Sequence, residues 1–284
     1  MDKVVWLVSY PKSGNTWFRM FLANYASDSL TPLALGDIKE TPISSNAEEF
    51  EEETGLNPFE LTPDEVDLYR PDCYRSQAAN VADQLLYKKT HDAYSLNIMG
   101  TPVFPADISY GAVYFVRNPM DVCVSYANHG ATEIERIVKL MTNKDASIAG
   151  NRTGQLRQIL FSWEGHYRSW HTQTEIPLHT VRYEDMINNP VETFGSIVKF
   201  LKLEYDLPRL KRAISNSDFN VLQKFEKEQG FKERMQNCDN FFWKGKIGNY
   251  RNFLKKEHTD ELIANFSSLM RELGYIDKNG MLTI

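Results

Sequence analysis

No run of apolar residues in this chain of 284 approaches the roughly 20 that a membrane-spanning helix needs, so an embedded protein is excluded. Cysteine is scarce as well. Cys73, Cys123 and Cys238 are odd in number and far apart, which excludes a disulfide framework or a zinc site and fits reduced thiols. There is no basic excess: the net charge of −6 argues against a general nucleic-acid binder. Met1 Asp2 Lys3 runs straight into a strand pattern, without the basic start, long apolar region and small-residue cleavage site of a secretory leader, so the expected location is cytoplasmic. No internal repeat is present.

What remains is an ordinary globular composition, 42% apolar and 25% charged, in a length that buries one sizeable core. A single domain over 1–284 is expected, with excursions at about 28–85 and 133–160. The charge is unevenly spread. Asp37 to Asp67 holds eleven acidic residues against Lys39 alone, a local balance of −10 that leaves +4 elsewhere, a body suited to a compact polyanion. The acidic stretch, with Pro42, Pro58 and Pro63, reads as a solvated, partly mobile excursion.

Val4 to Val8 is a buried-strand pattern that ends in Tyr10 Pro11 Lys12 Ser13 Gly14 Asn15 Thr16 Trp17 and opens a helix whose stripe is Phe18, Phe21, Leu22 and Tyr25. A helix start leaves amide N–H groups unpaired at the positive end of its dipole, and Lys12, Ser13, Asn15 and Thr16 add donors around them. The turn is therefore an anion cradle. It is not a Walker A loop, which needs two glycines separated by four residues and a lysine next to Ser or Thr. Leu85 to His91 is a short strand with a polar end. Gly111 to Val116 is a continuous apolar strand with Arg117 at its carboxyl end, then Asn118 and Pro119 to start a helix and Asp121 in its first turn. Helical patterns cover about 162–172, 190–201 and 260–273, and His179 to Tyr183 is a further strand. Strands alternating with helices imply an α/β fold, a central parallel sheet flanked by helices, with a P-loop-like strand-loop-helix anion site and ligands at the carboxyl strand ends. Lys12, His91 and Arg117 all fall there.

The loop Tyr10–Trp17 and the segment Val113–Tyr126 together resemble the cytosolic-type sulfotransferases, which use 3′-phosphoadenosine 5′-phosphosulfate (PAPS) and release the desulfated nucleotide PAP. Lys89 Thr90 His91, Tyr183 Glu184 Asp185, Ser217 Asp218 Phe219 and Phe241–Phe253 follow in the family's order, so the resemblance spans most of the chain, read as a bacterial member. It implies that Lys12, Ser13, Gly14, Asn15, Thr16 and Trp17 hold the 5′-phosphosulfate, that Arg117 and Ser125 bind the 3′-phosphate, and that Tyr183, Ser217 and Phe219 line the adenine pocket. It also implies His91 as catalytic base, with Lys12, Lys89 and Ser125 assisting, in an in-line transfer without a metal. The late segment departs from the family's pattern: Trp243 stands for an arginine, Asn249 for an aspartate and Tyr250 for a tryptophan, leaving Lys244 and Gly245 to clamp the 3′-phosphate.

The implied partner is a small-molecule hydroxyl acceptor, a phenol, alcohol or sugar, with no nucleic acid and no membrane, for a monomer or homodimer. Phe50, Phe59, Tyr69 and Tyr94 are as well explained by packing as by an acceptor pocket. Two other readings stand beside this one, a magnesium-dependent nucleotide kinase and a silent phosphoadenosine-nucleotide-binding protein. Arg117, where a kinase would place an acidic metal ligand, weighs against the first.

Overall fold

Every residue of Val4–Ser9 is completely buried, as a strand in the middle of a sheet must be. A computed structural model describes residues 3–82, 84–150 and 154–284. Met1, Asp2, Asp83 and residues 151–153, parts of the expected domain and its two excursions, lie outside the described residues, as do the side chains of Asp37, Lys39 and Glu40. In chain order the elements are β1 (Val4–Ser9), α1 (Asn15–Ser27), α2 (Ala47–Thr54), α3 (Pro63–Asn80), β2 (Leu86–Thr90), β3 (Ser109–Val116), α4 (Pro119–His129), α5 (Ile134–Thr142), β4 (Ser147–Ile148), β5 (Gln158–Ile159), α6 (Trp163–Thr172), β6 (Leu178–Arg182), α7 (Tyr183–Asn188), α8 (Pro190–Phe200), α9 (Leu207–Asn216), α10 (Phe219–Gln229) and α11 (Lys256–Glu272). Short 3₁₀ turns interrupt them.

The main sheet has the order β2-β1-β3-β6. β1 runs parallel to both neighbours, with Val8 opposite Thr90 and Ser9 opposite Phe115. The α/β class with a central parallel sheet is therefore as expected. Contacts gather the chain into two compact units, each assembled from three segments: Met1–Tyr10, Glu40–Phe115 and Lys144–Thr180 in the first, and Pro11–Lys39, Val116–Asn143 and Val181–Ile284 in the second. None of the described helices is long and apolar enough to cross a membrane.

In the first unit Trp6 of β1 meets Tyr74 of α3 and Phe104 edge-on, at ring separations of 5.1 and 4.9 Å, and its indole N–H donates to Ser109 Oγ. Each such pair adds about 0.5–1.5 kcal/mol to simple burial. In the second unit Phe21 of α1 lies 4.3 Å from Phe194 of α8, and Met20 joins Leu35, Leu222 and Phe242 in one apolar cluster.

The acidic stretch, expected as a solvated excursion, keeps Glu48, Glu51 and Glu52 exposed but carries helical order. Ala47–Thr54 and Pro63–Asn80 are helical, the first capped by Asn46 and the second by a reciprocal Thr62–Glu65 box with Pro63 in its first turn. Phe50 packs with Ala47, Val66 and Leu156, so this stretch forms core. Its buried and half-buried carboxylates Asp67 and Glu49 are paired. Lys88 holds Glu49 at 2.7 Å, and Asp67 accepts from both Arg70 and Arg157. Arg70, fully buried, also makes a two-pronged pair with Asp92, at 2.8 and 3.2 Å, and donates to the Tyr74 hydroxyl. Sequence pattern alone missed this because a run of carboxylates looks solvated until its cations arrive from 39 and 90 residues away.

Removing Arg70 as Arg70→Ala strands Asp92 in the interior, leaves Asp67 to Arg157 alone, and should lower unfolding free energy by about 3–5 kcal/mol. Asp260→Ala breaks only an exposed one-turn pair with Lys256 and should cost about 0.5 kcal/mol or less. Urea unfolding curves of the two variants check the contrast, and equal midpoints would refute it.

Candidate functional site

Where β1 ends, the chain turns into α1 of the second unit through two unusual residues. Lys12 has φ 70° and Gly14, at the helix N-cap, has φ 104°. A Cβ on Gly14 would stand 2.7 Å from the Tyr183 ring, so only glycine fits both the angle and the space. No side chain caps α1. Its leading N–H groups therefore face the turn with the positive end of the dipole. Ser13, Asn15 and Thr16 are buried around them, and the Ser13 hydroxyl and Trp17 indole N–H are buried without a hydrogen-bond partner. The Lys12 ammonium sits 3.8 Å over the Phe241 ring.

Arg117 follows β3 and joins this turn directly. Its guanidinium donates to the Lys12 carbonyl at 3.2 Å and the Lys246 carbonyl at 3.3 Å, and it lies 4.2 Å over the Tyr183 ring. Its Nε is buried and unpartnered. Asn118 caps α4, whose start is tied by the Glu184 carboxyl, which accepts from Asn118 N–H and the Tyr275 hydroxyl. Burial raises the Glu184 carboxyl above the usual range. Ser125 is half-buried further along α4.

The late glycine-rich segment is held by a residue that the sequence marked only as a helix-start charge. Both carboxylate oxygens of buried Asp121 accept backbone N–H groups, from Gly248 at 2.7 Å and Tyr250 at 2.9 Å. Gly245 lies against Phe219, whose ring atoms would meet a Cβ there at 2.4–2.7 Å. Lys244 is exposed, its ammonium 5.2 Å over the Trp243 ring. The structure thus brings Lys12, Gly14, Arg117, Tyr183, Lys246 and Phe241 together around one turn, and Gly245 with Phe219 beside that segment. Ser217 is different. It is fully buried, and its hydroxyl donates to the Ala213 carbonyl at the end of α9.

Glu233 had no sequence signal. Its carboxylate receives the Thr16 hydroxyl at 3.3 Å and the Arg19 guanidinium at 2.5 Å, so an acidic side chain engages two donors of the cradle. Arg19, also unforeseen, is buried on the α1 face that carries Thr16.

In the first unit, Lys89 is buried on β2 and His91 follows its last residue, Thr90. The His91 Nδ1 is 2.8 Å from the Ser9 carbonyl. A carbonyl only accepts, so Nδ1 carries the proton and the lone pair is on Nε2. Of the aromatics considered for an acceptor wall, Phe50 is core, Tyr69 is exposed and Tyr94 packs edge-on against Trp170. Phe59 lines a half-open cavity of about 310 Å³ with Leu61, Val66, Leu156 and Arg157.

A sequence model described as the sulfotransferase domain matches residues 2–274. The chain belongs to the sulfotransferase family. Sulfuryl transfer is accordingly its reaction class. This sulfotransferase is 25% identical to flavonol 3-sulfotransferase of Flaveria bidentis, over 94% of its own length and 80% of the relative's. It is 24% identical to sulfotransferase 1B1 of Mus musculus over 56% of its own length and 53% of that protein. In fold it is similar to mouse sulfotransferase SULT7A1 solved with PAP, with TM-score 0.62, 19% identity and coverage of 96% and 86% of the two chains. Retinol dehydratase solved with retinol and PAP gives TM-score 0.62, 17% identity, and coverage of 95% and 82%.

If Glu233 competes with bound anions in the sulfotransferase cradle, neutralising it frees Thr16 and Arg19. Charge-assisted hydrogen bonds are worth about 1.5–3 kcal/mol, so Glu233→Gln should bind pyrophosphate about tenfold more tightly in calorimetry. Unchanged affinity would show that the carboxylate does not compete.

Proposed function

We propose that this sulfotransferase moves a sulfuryl group from PAPS to the hydroxyl of a small-molecule acceptor, with His91 as base. The observation that carries the reading is the placement of Arg117, tied to the Lys12 turn, the Tyr183 ring and the Lys246 segment at once. The donor set fits a phosphorylated nucleotide: an uncapped helix start with buried unpartnered donors on Ser13 and Trp17, and an unpartnered Arg117 Nε. The similar structures solved with PAP hold the same ligand class.

When bound, the donor supplies the activated sulfuryl group. Lys12, Ser13, Gly14, Asn15, Thr16 and Trp17 hold its 5′ side, Lys12 neutralising charge that develops as the nucleotide departs, and Ser125 tunes that lysine. Arg117 and Ser125 hold the 3′-phosphate, with Lys244 or Lys246 supplying the charge that Trp243 lacks. Tyr183, Ser217 and Phe219 line the adenine pocket, and Gly245 stays with Lys244 in the late clamp. His91 Nε2 removes the acceptor's proton and Lys89 steadies the sulfuryl oxygens. Positioning and electrostatics carry such transfers, so no metal is invoked. The acceptor class is a phenol, alcohol or sugar, and the relative named for a flavonol fits a phenolic one. We place the chain in the cytoplasm as one sulfotransferase domain, working as a monomer or homodimer.

Three outcomes test the reading. His91→Ala should lower turnover by about 10²- to 10⁴-fold while PAP affinity stays nearly unchanged in calorimetry. Parallel loss of binding and turnover would remove His91 from the base role. Arg117→Ala should weaken PAP by tenfold or more and barely affect adenosine 5′-phosphate, with Lys244→Ala showing the same selectivity more weakly. An unchanged ratio of the two affinities would overturn the 3′-phosphate assignment. Transfer should survive EDTA, whereas a phosphoryl-transfer enzyme would stop.

A further inference from the structure

The segment after β2 does not hang loose. α6 presents His166, Ser169 and Trp170 on one face, at the spacing of i, i+3 and i+4. His166 Nε2 lies 3.1 Å from the His91 carbonyl, the Trp170 indole N–H donates to the Asp92 carbonyl at 3.0 Å, and Ser169 Oγ accepts the Tyr94 N–H at 3.0 Å. Asp92 also accepts Ile159 N–H and pairs with Arg70. Three of four consecutive residues are thus bonded to one helix. Only His166 acts on the residue that carries the reacting ring.

His166 is completely buried. Its Nε2 faces a carbonyl and must donate, so its Nδ1 holds the lone pair and accepts the Tyr114 hydroxyl at 2.7 Å. The ring also meets Tyr10 edge-on at 5.6 Å. Burial pushes its pKa down to about 3, so it stays neutral and keeps one tautomer through the physiological range.

We infer that His166, set by Tyr114, is a positioning residue that fixes the His91 backbone so that Nδ1–H stays on the Ser9 carbonyl and the lone pair stays on Nε2. It touches no reacting atom. The inference rests on the reading of His91 as base for its catalytic consequence, though not for its geometry. A ring swung off Ser9 either turns Nε2 away or takes up the other tautomer, and misplacement by about 1 Å costs up to about 10²-fold in rate.

The test uses the full chain with ¹⁵N-labelled histidine, where long-range ¹H–¹⁵N spectra read each ring's tautomer without turnover. The chain has six histidines, and His91→Asn assigns the signal. In His166→Phe, which keeps the bulk and removes the donor, His91 should become a mixture of tautomers and kcat should fall about 10- to 100-fold with PAP affinity unchanged. His166→Gln can donate to the His91 carbonyl and accept from Tyr114, so it should restore both readouts. It also serves if the phenylalanine variant does not fold. Tyr114→Phe should give a partial version of the defect. A His91 ring still wholly Nδ1-protonated in His166→Phe overturns the inference whatever the rate. A mixed ring with unchanged kcat leaves the positioning standing and overturns His91 as base.

Discussion

Parallel pairing of β1 with β2 and β3 sets Thr90 opposite Val8 and Phe115 opposite Ser9, and the placement of His91 in the first unit follows from that register. The next residue after Thr90 is His91, whose ring reaches the Ser9 carbonyl because the two strands end level. Two residues after Phe115 comes Arg117, and three after Ser9 comes Lys12. A slip of one residue in the pairing of β1 with β2 would turn the side chains of β2 to the opposite face and carry His91 away from the Ser9 carbonyl. The complete burial of β1 makes such a slip costly, since Val4 to Val8 have no solvent-facing alternative.

Charge is handled in opposite ways in the two units. In the first, the carboxylates of α3 and Asp92 are neutralised internally by Arg70 and Arg157, and the segment carrying His91 is thereby fixed. Such a buried network contributes more to uniqueness than to net stability, because desolvation offsets most of its Coulomb attraction. In the second, the Lys12 turn keeps buried donors on Ser13, Trp17 and Arg117. Arg117 is matched by carbonyls and a ring face instead of a carboxylate, so its full charge is available to an anion. Glu233 bonds Thr16 and Arg19 with its carboxylate, and it comes from a loop well separated from them in sequence.

Much of this was legible in the residues. The apolar run Val4–Val8 followed by Lys12 and Gly14 announced a strand-loop-helix turn because burial and φ > 0 leave few alternatives there. The strand before Arg117 and the Asn118–Pro119 helix start were legible for similar local reasons. The acidic stretch misled, since Asp67 and Glu49 take their partners from distant segments and local composition does not record them. Ser217, read as a pocket residue, has its hydroxyl bonded to α9. Asp121 looked like a helix-start charge, yet its carboxylate holds Gly248 and Tyr250.

By itself the sequence determined the α/β class, the four strands of the main sheet and the strand-loop-helix turn over Tyr10–Trp17, because these depend on short-range patterning and on the angles that glycine and proline allow. Tertiary structure alone decided which tautomer His91 holds, which carboxylate meets Thr16 and Arg19, and what Arg117 leans on. Those outcomes depend on groups more than a hundred positions apart in several cases, where hydrogen-bond direction and desolvation are set only once the backbone has brought them within about 3 Å.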